Sequence, residues 1–138
     1  MPDEPATDYG RDETIPDDAV LVRGGPMTLV SLRVAESRPL KEGYDFHGLS
    51  MFSFPGCDVD EIARRVRNTL PQREICWATA GEIRAKGFGL RRTGSTPGHF
   101  SLVFDETPSD DDLRTVLRLY EGKCKDNPYK RARRRRSN

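Results

Sequence analysis

The sequence predicts an α+β fold: a single compact domain on one mostly antiparallel or mixed sheet of about five strands, with helices packed mainly on one face. Three observations carry this. Short apolar runs of strand length alternate with segments whose apolar residues recur at helical spacing. Glycine and proline separate these segments, and Asp or Thr followed three residues on by Glu marks helix starts. At 138 residues and 35% hydrophobic content the chain can bury one modest core.

The elements follow in order. Ala19 to Arg23 is an apolar run stopped by Gly24-Gly25, a buried strand. Pro26 suits a first helical position, and Met27, Leu29, Val30, Leu32 and Val34 give a broad apolar face through about Ser37. Phe46 to Phe54 is the second strand, closed by Pro55-Gly56. Asp58 with Glu61 opens a helix in which Val59, Ile62, Ala63, Val66 and Leu70 share a face, Pro71 ends it, and Arg64, Arg65 and Arg67 point to water. Ile75 to Ala78 is a short strand, and Thr79 with Glu82 caps a two-turn helix that Gly87 terminates. Phe88 to Arg92 and His99 to Phe104 alternate and pair as a hairpin across Gly94 to Gly98. Ser109 caps a last helix with Asp110, Asp111 and Asp112 in its first turn, and Leu113, Val116, Leu117 and Tyr120 on its buried stripe.

Charge divides the chain in three. Residues 1–18 hold seven acids against Arg11, and residues 123–138 hold eight bases against Asp126, so the net +1 conceals a neutral middle. The expected organisation is a disordered acidic arm over 1–18, one domain over 19–122 and a flexible basic tail over 123–138. No run reaches the roughly 18 apolar residues of a membrane span, and the acidic start is unlike a secretory signal, so a cytoplasmic protein without membrane contact is expected. Cys57, Cys76 and Cys124 form no C-x-x-C pair and are read as reduced thiols. No cofactor and no metal are implied.

The two histidines are the natural candidates for acid–base chemistry. Alternation puts His99, Ser101 and Val103 on one strand face and Phe100, Leu102 and Phe104 on the other, which is the core face. His99 and Ser101 are therefore the candidate catalytic pair. His47 shares a face with Leu49 and Met51, whereas Ser50 falls on the other with Phe52. A two-histidine phosphodiesterase needs His and Ser on one face in both strands, and only His99 with Ser101 fits.

The run Glu82 to Ser95, with Gly87-Phe88 and Gly94-Ser95, then His99, an apolar strand and a leucine-bearing helix from Asp112, resembles mRNA interferase toxins of the HicA type. The likeness covers about residues 79–120. It implies a double-stranded-RNA-binding-like fold, with His99 acting in RNA cleavage. RNA cleavage also needs positive groups on the phosphate and a group that orients it. Arg91 and Arg92 on the neighbouring strand are the candidates to bind phosphate, with Ser95 or Ser101 to orient it.

The order Arg23, Ser50 and Ser53, Glu106 is similar to that of ADP-ribosyltransferase-like folds, whose arginine holds a dinucleotide and whose glutamate supports ribosyl transfer. Tyr129 leads into Lys130, Arg131, Arg133, Arg134, Arg135 and Arg136, which predict sequence-independent contact with RNA or DNA phosphates. The same tail could pair with the acidic arm, bind an acidic partner such as an antitoxin, or solubilise the chain end. The function expected is thus a small nucleic-acid-contacting protein, a toxin-type endoribonuclease using His99; the alternative is a non-enzymatic binding or regulatory module.

Overall fold

The computed structural model describes residues 15–129. In chain order the elements are β1 (Val20–Gly24), α1 (Leu29–Ala35), α2 (Arg38–Lys41), β2 (His47–Phe52), α3 (Val59–Arg65), β3 (Glu74–Thr79), α4 (Ala80–Ala85), β4 (Gly89–Arg92), β5 (His99–Phe104), α5 (Asp110–Tyr120) and β6 (Cys124–Asp126). The fold is α+β, as the alternation of periods predicts. Among the described residues one six-stranded sheet runs β4-β5-β2-β1-β3-β6, and every neighbouring pair is antiparallel.

β1 lies inside the sheet because its apolar run suits coverage on both faces; Leu21 and Val22, one on each face, are fully buried. On the first face Leu21, Leu49, Met51, Leu102 and Phe104 pack under Leu32 of α1, Ile83 of α4 and Leu113 and Val116 of α5. On the second, Val22, Phe52 and Ile75 meet Ile62 and Ala63 of α3. Each fully buried large aliphatic side chain contributes about 1.5–3 kcal/mol, so α5 is held chiefly by Leu113, Val116 and Leu119 rather than by intrinsic helix propensity. Its start follows the sequence closely: Ser109 and Asp112 form a reciprocal capping box, as Thr79 and Glu82 do for α4.

The two histidine-led strands lie side by side. β2 and β5 pair from His47↔Phe104 to Phe52↔His99, so the histidines sit at opposite ends of the ladder. Five residue steps separate them, about 17 Å at strand rise, and they cannot serve one reaction centre.

Several expectations are corrected. α1 starts at Leu29 under a Thr28–Ser31 capping box, and Pro26 precedes it after a cis Gly25–Pro26 bond rather than opening it. That phase turns Leu32 inward and leaves Val30 and Val34 exposed. α3 stops at Arg65, and a turn carries Val66 and Leu70 into the core instead of further helix. The ordered unit is wider than 19–122: Ile15 is buried, Asp17 pairs with Arg84, and residues expected to begin the tail form β6.

The thiol reading is overturned as well. Cys76 and Cys124 face each other across β3 and β6 and form a disulfide, leaving Cys57 as the free thiol. Only the pairing of β6 with β3 brings two cysteines 48 positions apart into register, which spacing alone could not reveal. No helix among the described residues is long and apolar enough to cross a membrane.

Candidate functional site

The site is built where β5 begins. Gly94 (φ +68°) and Gly98 (φ +80°) adopt left-handed backbone that L side chains rarely take, and they bound the loop that delivers His99. The loop is tied at both sides: Gly94 N–H donates to the Tyr44 hydroxyl at 2.6 Å, and Ser53 N–H donates to the Gly98 carbonyl at 2.9 Å. The His99 ring packs edge-on against Phe52, with centroids 5.3 Å apart.

The His99 tautomer follows from its partners. Nδ1 lies 3.0 Å from the Thr93 carbonyl and 2.8 Å from Thr93 Oγ1. A carbonyl only accepts, so Nδ1 carries the proton and neutral Nε2 presents a lone pair. The Ser50 hydroxyl donates to that lone pair, at 2.5 Å. Burial lowers the His99 pKa from its ordinary 6.5, against the opposing pull of the Thr93 carbonyl and the charge of Glu42. The result is a neutral imidazole with an accepting nitrogen aimed at a hydroxyl, the state a general base requires.

Ser50 comes from the centre of β2, where it is the one exposed residue in a strand otherwise buried or half-buried. It faces Ser101 in the ladder, so its side chain emerges on His99's face. His99 and Ser50 line a cavity of about 640 Å³, of the size that holds small ligands, together with Arg23, Arg38, Glu42 and Gln72.

Arg23 enters this cavity because the sheet parts there. β1 and β3 share five register pairs, but β1 and β2 share only Val22↔Phe52. Gly24 would be next to face Ser50; instead Arg23 Nη1 donates to the Ser50 carbonyl at 3.0 Å. One wall of the cavity is fastened from the residue after β6: the buried Asn127 amide donates to the Gln72 carbonyl at 2.9 Å and to that of Leu70 at 3.4 Å.

The predicted residues separate. His99 lines the cavity. Ser101 shares its face and lines the cavity too, but it is 3% exposed and its hydroxyl is engaged by Thr93 Oγ1 at 3.0 Å. Val103, expected outward beside them, is buried too. Arg91 lies over the Phe46 ring at 5.3 Å, Arg92 and Ser95 are exposed, and none of the three lines the cavity. Lys130, Arg131, Arg133, Arg134, Arg135 and Arg136 lie outside the described residues.

Arg23 and Ser50, singled out by their order with Glu106, do meet in the cavity. Glu106 is exposed and does not line it, and Ser53 is buried elsewhere. Thr93, Arg38 and Gln72 were not singled out from sequence. The signal for Thr93 was its place in the hairpin opposite a histidine; Arg38 and Gln72 carried none.

His47 belongs to a different assembly. Its Nδ1 meets Oε1 of the buried Glu36 at 2.5 Å and its Nε2 meets Thr107 Oγ1 at 3.2 Å. Arg33 joins Glu36 to Asp110 and donates to the Pro108 carbonyl at 2.7 Å. The cluster fastens α1 and β2 to the start of α5, the structural role expected of a hydrogen-bonded histidine at a strand start.

No group of three or more His, Cys, Asp or Glu side chains among the described residues is arranged to hold a metal ion. No family model, curated protein or solved structure matches the chain.

Proposed function

We propose that the chain is an endoribonuclease in which His99 is the general base. The carrying observation is the neutral imidazole whose Nε2 accepts from a hydroxyl in a cavity that also holds Arg23 and Arg38. In the reaction a ribose 2′-hydroxyl takes the place of the Ser50 hydroxyl and gives its proton to Nε2. The oxygen attacks the adjacent phosphorus, the bond to the 5′-oxygen breaks, that oxygen leaves with a proton from water, and the hydroxide formed takes the proton back from the His99 imidazolium. The products are a 2′,3′-cyclic phosphate and a 5′-hydroxyl. Thr93 holds the tautomer, and the arginines carry the charge that grows on the phosphate.

The basic segment from Lys130 to Arg136 supports the same reading by supplying contacts to the RNA backbone, which strengthen as salt falls.

The test is an oligoribonucleotide assay that identifies the product ends. Wild type should yield cyclic phosphate ends and spare a substrate with 2′-deoxyribose at the cleaved position. His99→Ala should lose about 10²–10⁴-fold in rate while its fold, followed by circular dichroism, is kept. Wild-type protein that leaves RNA intact, or a fully active His99→Ala, sinks the proposal. RNA binding without cleavage, lost on removal of residues 130–138, would move the chain to the class of binding modules.

A further inference from the structure

Among the described residues Arg23 is a buried cation with no counter-charge. It is 9% exposed, its Nε has no partner, and the Ser50 carbonyl is the one hydrogen-bond acceptor it meets among the described residues. No described carboxylate pairs with it. Burial pulls its pKa down, the like-charged Arg38 acts in the same direction, and the Tyr120 phenol nearby is kept neutral by its own burial. A guanidinium cannot escape this cost by losing its proton at neutral pH. Proteins seldom keep such a group unpaired unless something else completes it.

The surroundings say what completes it. Arg38 stands in the same cavity, and among the described residues Glu42 is the one carboxylate that lines it. Gln72 Oε1 is also buried without a partner, and it lies against the Gly24 backbone so closely that a Cβ there would fall 2.2 Å from it. A ligand that meets both needs carries negative charge at one point and a hydrogen-bond donor at another. The planar fork of arginine favours tetrahedral or planar oxyanions that accept two bonds.

We infer that the Arg23 end of the cavity is a seat for a phosphoryl group, taken with Arg38 and completed by a donor, such as a ribose hydroxyl, on Gln72. This deepens the reading of the cavity as a ribonucleotide site but does not depend on cleavage. It assigns a substrate class, phosphate esters of nucleosides, and a role to Arg23 that is distinct from the base His99.

The test is titration with inorganic phosphate, pyrophosphate and a nucleoside diphosphate, with citrate as a carboxylate control, read by calorimetry and by the shift in melting temperature. Wild type should bind the phosphates, the nucleoside diphosphate most tightly, and more weakly as salt rises. The exposed Arg38→Ala should keep its fold and weaken binding about tenfold, the scale of one charge-assisted bond. Arg23→Met should abolish binding while the unliganded melting temperature holds or rises, because an unpaired buried charge has been removed.

Wild type that binds none of the phosphates at millimolar concentration overturns the seat. So do Arg38→Ala and Arg23→Met variants that bind as wild type does, or citrate bound as well as pyrophosphate. If Arg23→Met fails to fold, Arg38→Ala alone decides. Phosphate binding retained by a chain that does not cleave RNA would keep the seat and reject the nuclease.

Discussion

Replacing Gly98 with alanine tests whether the loop that delivers His99 is a packed part of the fold. Gly98 sits at φ +80°, and a Cβ built there would lie 2.5 Å from Phe54 Cζ. Holding an L residue in left-handed backbone costs about 1–2 kcal/mol. Pushing an aromatic ring from a filled position costs about 1–3 kcal/mol more. Phe54 is not free to swing without loss, since Arg65 lies over its ring at 5.1 Å. Gly98→Ala should therefore lose about 3 kcal/mol in all.

Gly56 supplies the control. Its φ is +88°, but nothing lies within 4 Å of its Cβ position, so Gly56→Ala bears only the backbone cost of about 1–2 kcal/mol. Urea denaturation of both variants, compared at equal m values, separates the two contributions. Gly98→Ala should be the less stable by about 1–3 kcal/mol. Equal losses would mean that Phe54 yields without cost, and the account of Gly98 packed against the Phe54 ring would have to be abandoned.

Other predictions follow from the same geometry. His99 has a folded pKa below 6.5, so above 6.5 it adds no pH dependence, and as pH falls through 6.5 the unfolded chain gains a proton that the native state refuses. Stability should decline over that window in wild type and decline less in His99→Gln, and a wild-type profile no steeper than the variant's would refute the burial argument. The disulfide closes a separation of 48 residues, for which loop-closure entropy gives about 4 kcal/mol. Cys124→Ser should lower unfolding free energy by about 2–4 kcal/mol, and reductant should move wild type towards the variant; a variant as stable as oxidised wild type would contradict it. Leu113→Ala should cost about 2–5 kcal/mol, since Leu113 is fully buried between α5 and the sheet, while Arg92→Ala on the exposed edge strand should melt as wild type does.

How much of this was legible from the residues differs by element. Ser109, and Thr79 with Glu82, marked helix starts correctly because a cap is satisfied within four residues of itself. Alternation placed Phe100, Leu102 and Phe104 in the core, because successive strand side chains point to opposite faces. The same rule located His99 and Ser101 together but could not tell an open face from a covered one. Ser101 proved to be buried behind Thr93 and Val103 under its own neighbours.

The site itself depended on pairings between distant segments. Ser50 reaches His99 because β2 and β5 lie antiparallel in one register, and Arg23 reaches Ser50 because β1 and β2 part after one pair. Cys76 meets Cys124 for the same kind of reason. Local sequence by itself determined most of the helices and strands, though not α2 or β6, and which side of β5 carries the aromatic core, since propensity, capping and alternation act within a few residues. Only the tertiary structure decided which strands are neighbours, and so which histidine meets a serine and which arginine is left buried without a carboxylate. Strand order is set by the burial of whole faces and by hydrogen bonds between segments tens of residues apart, and no short stretch of sequence encodes it.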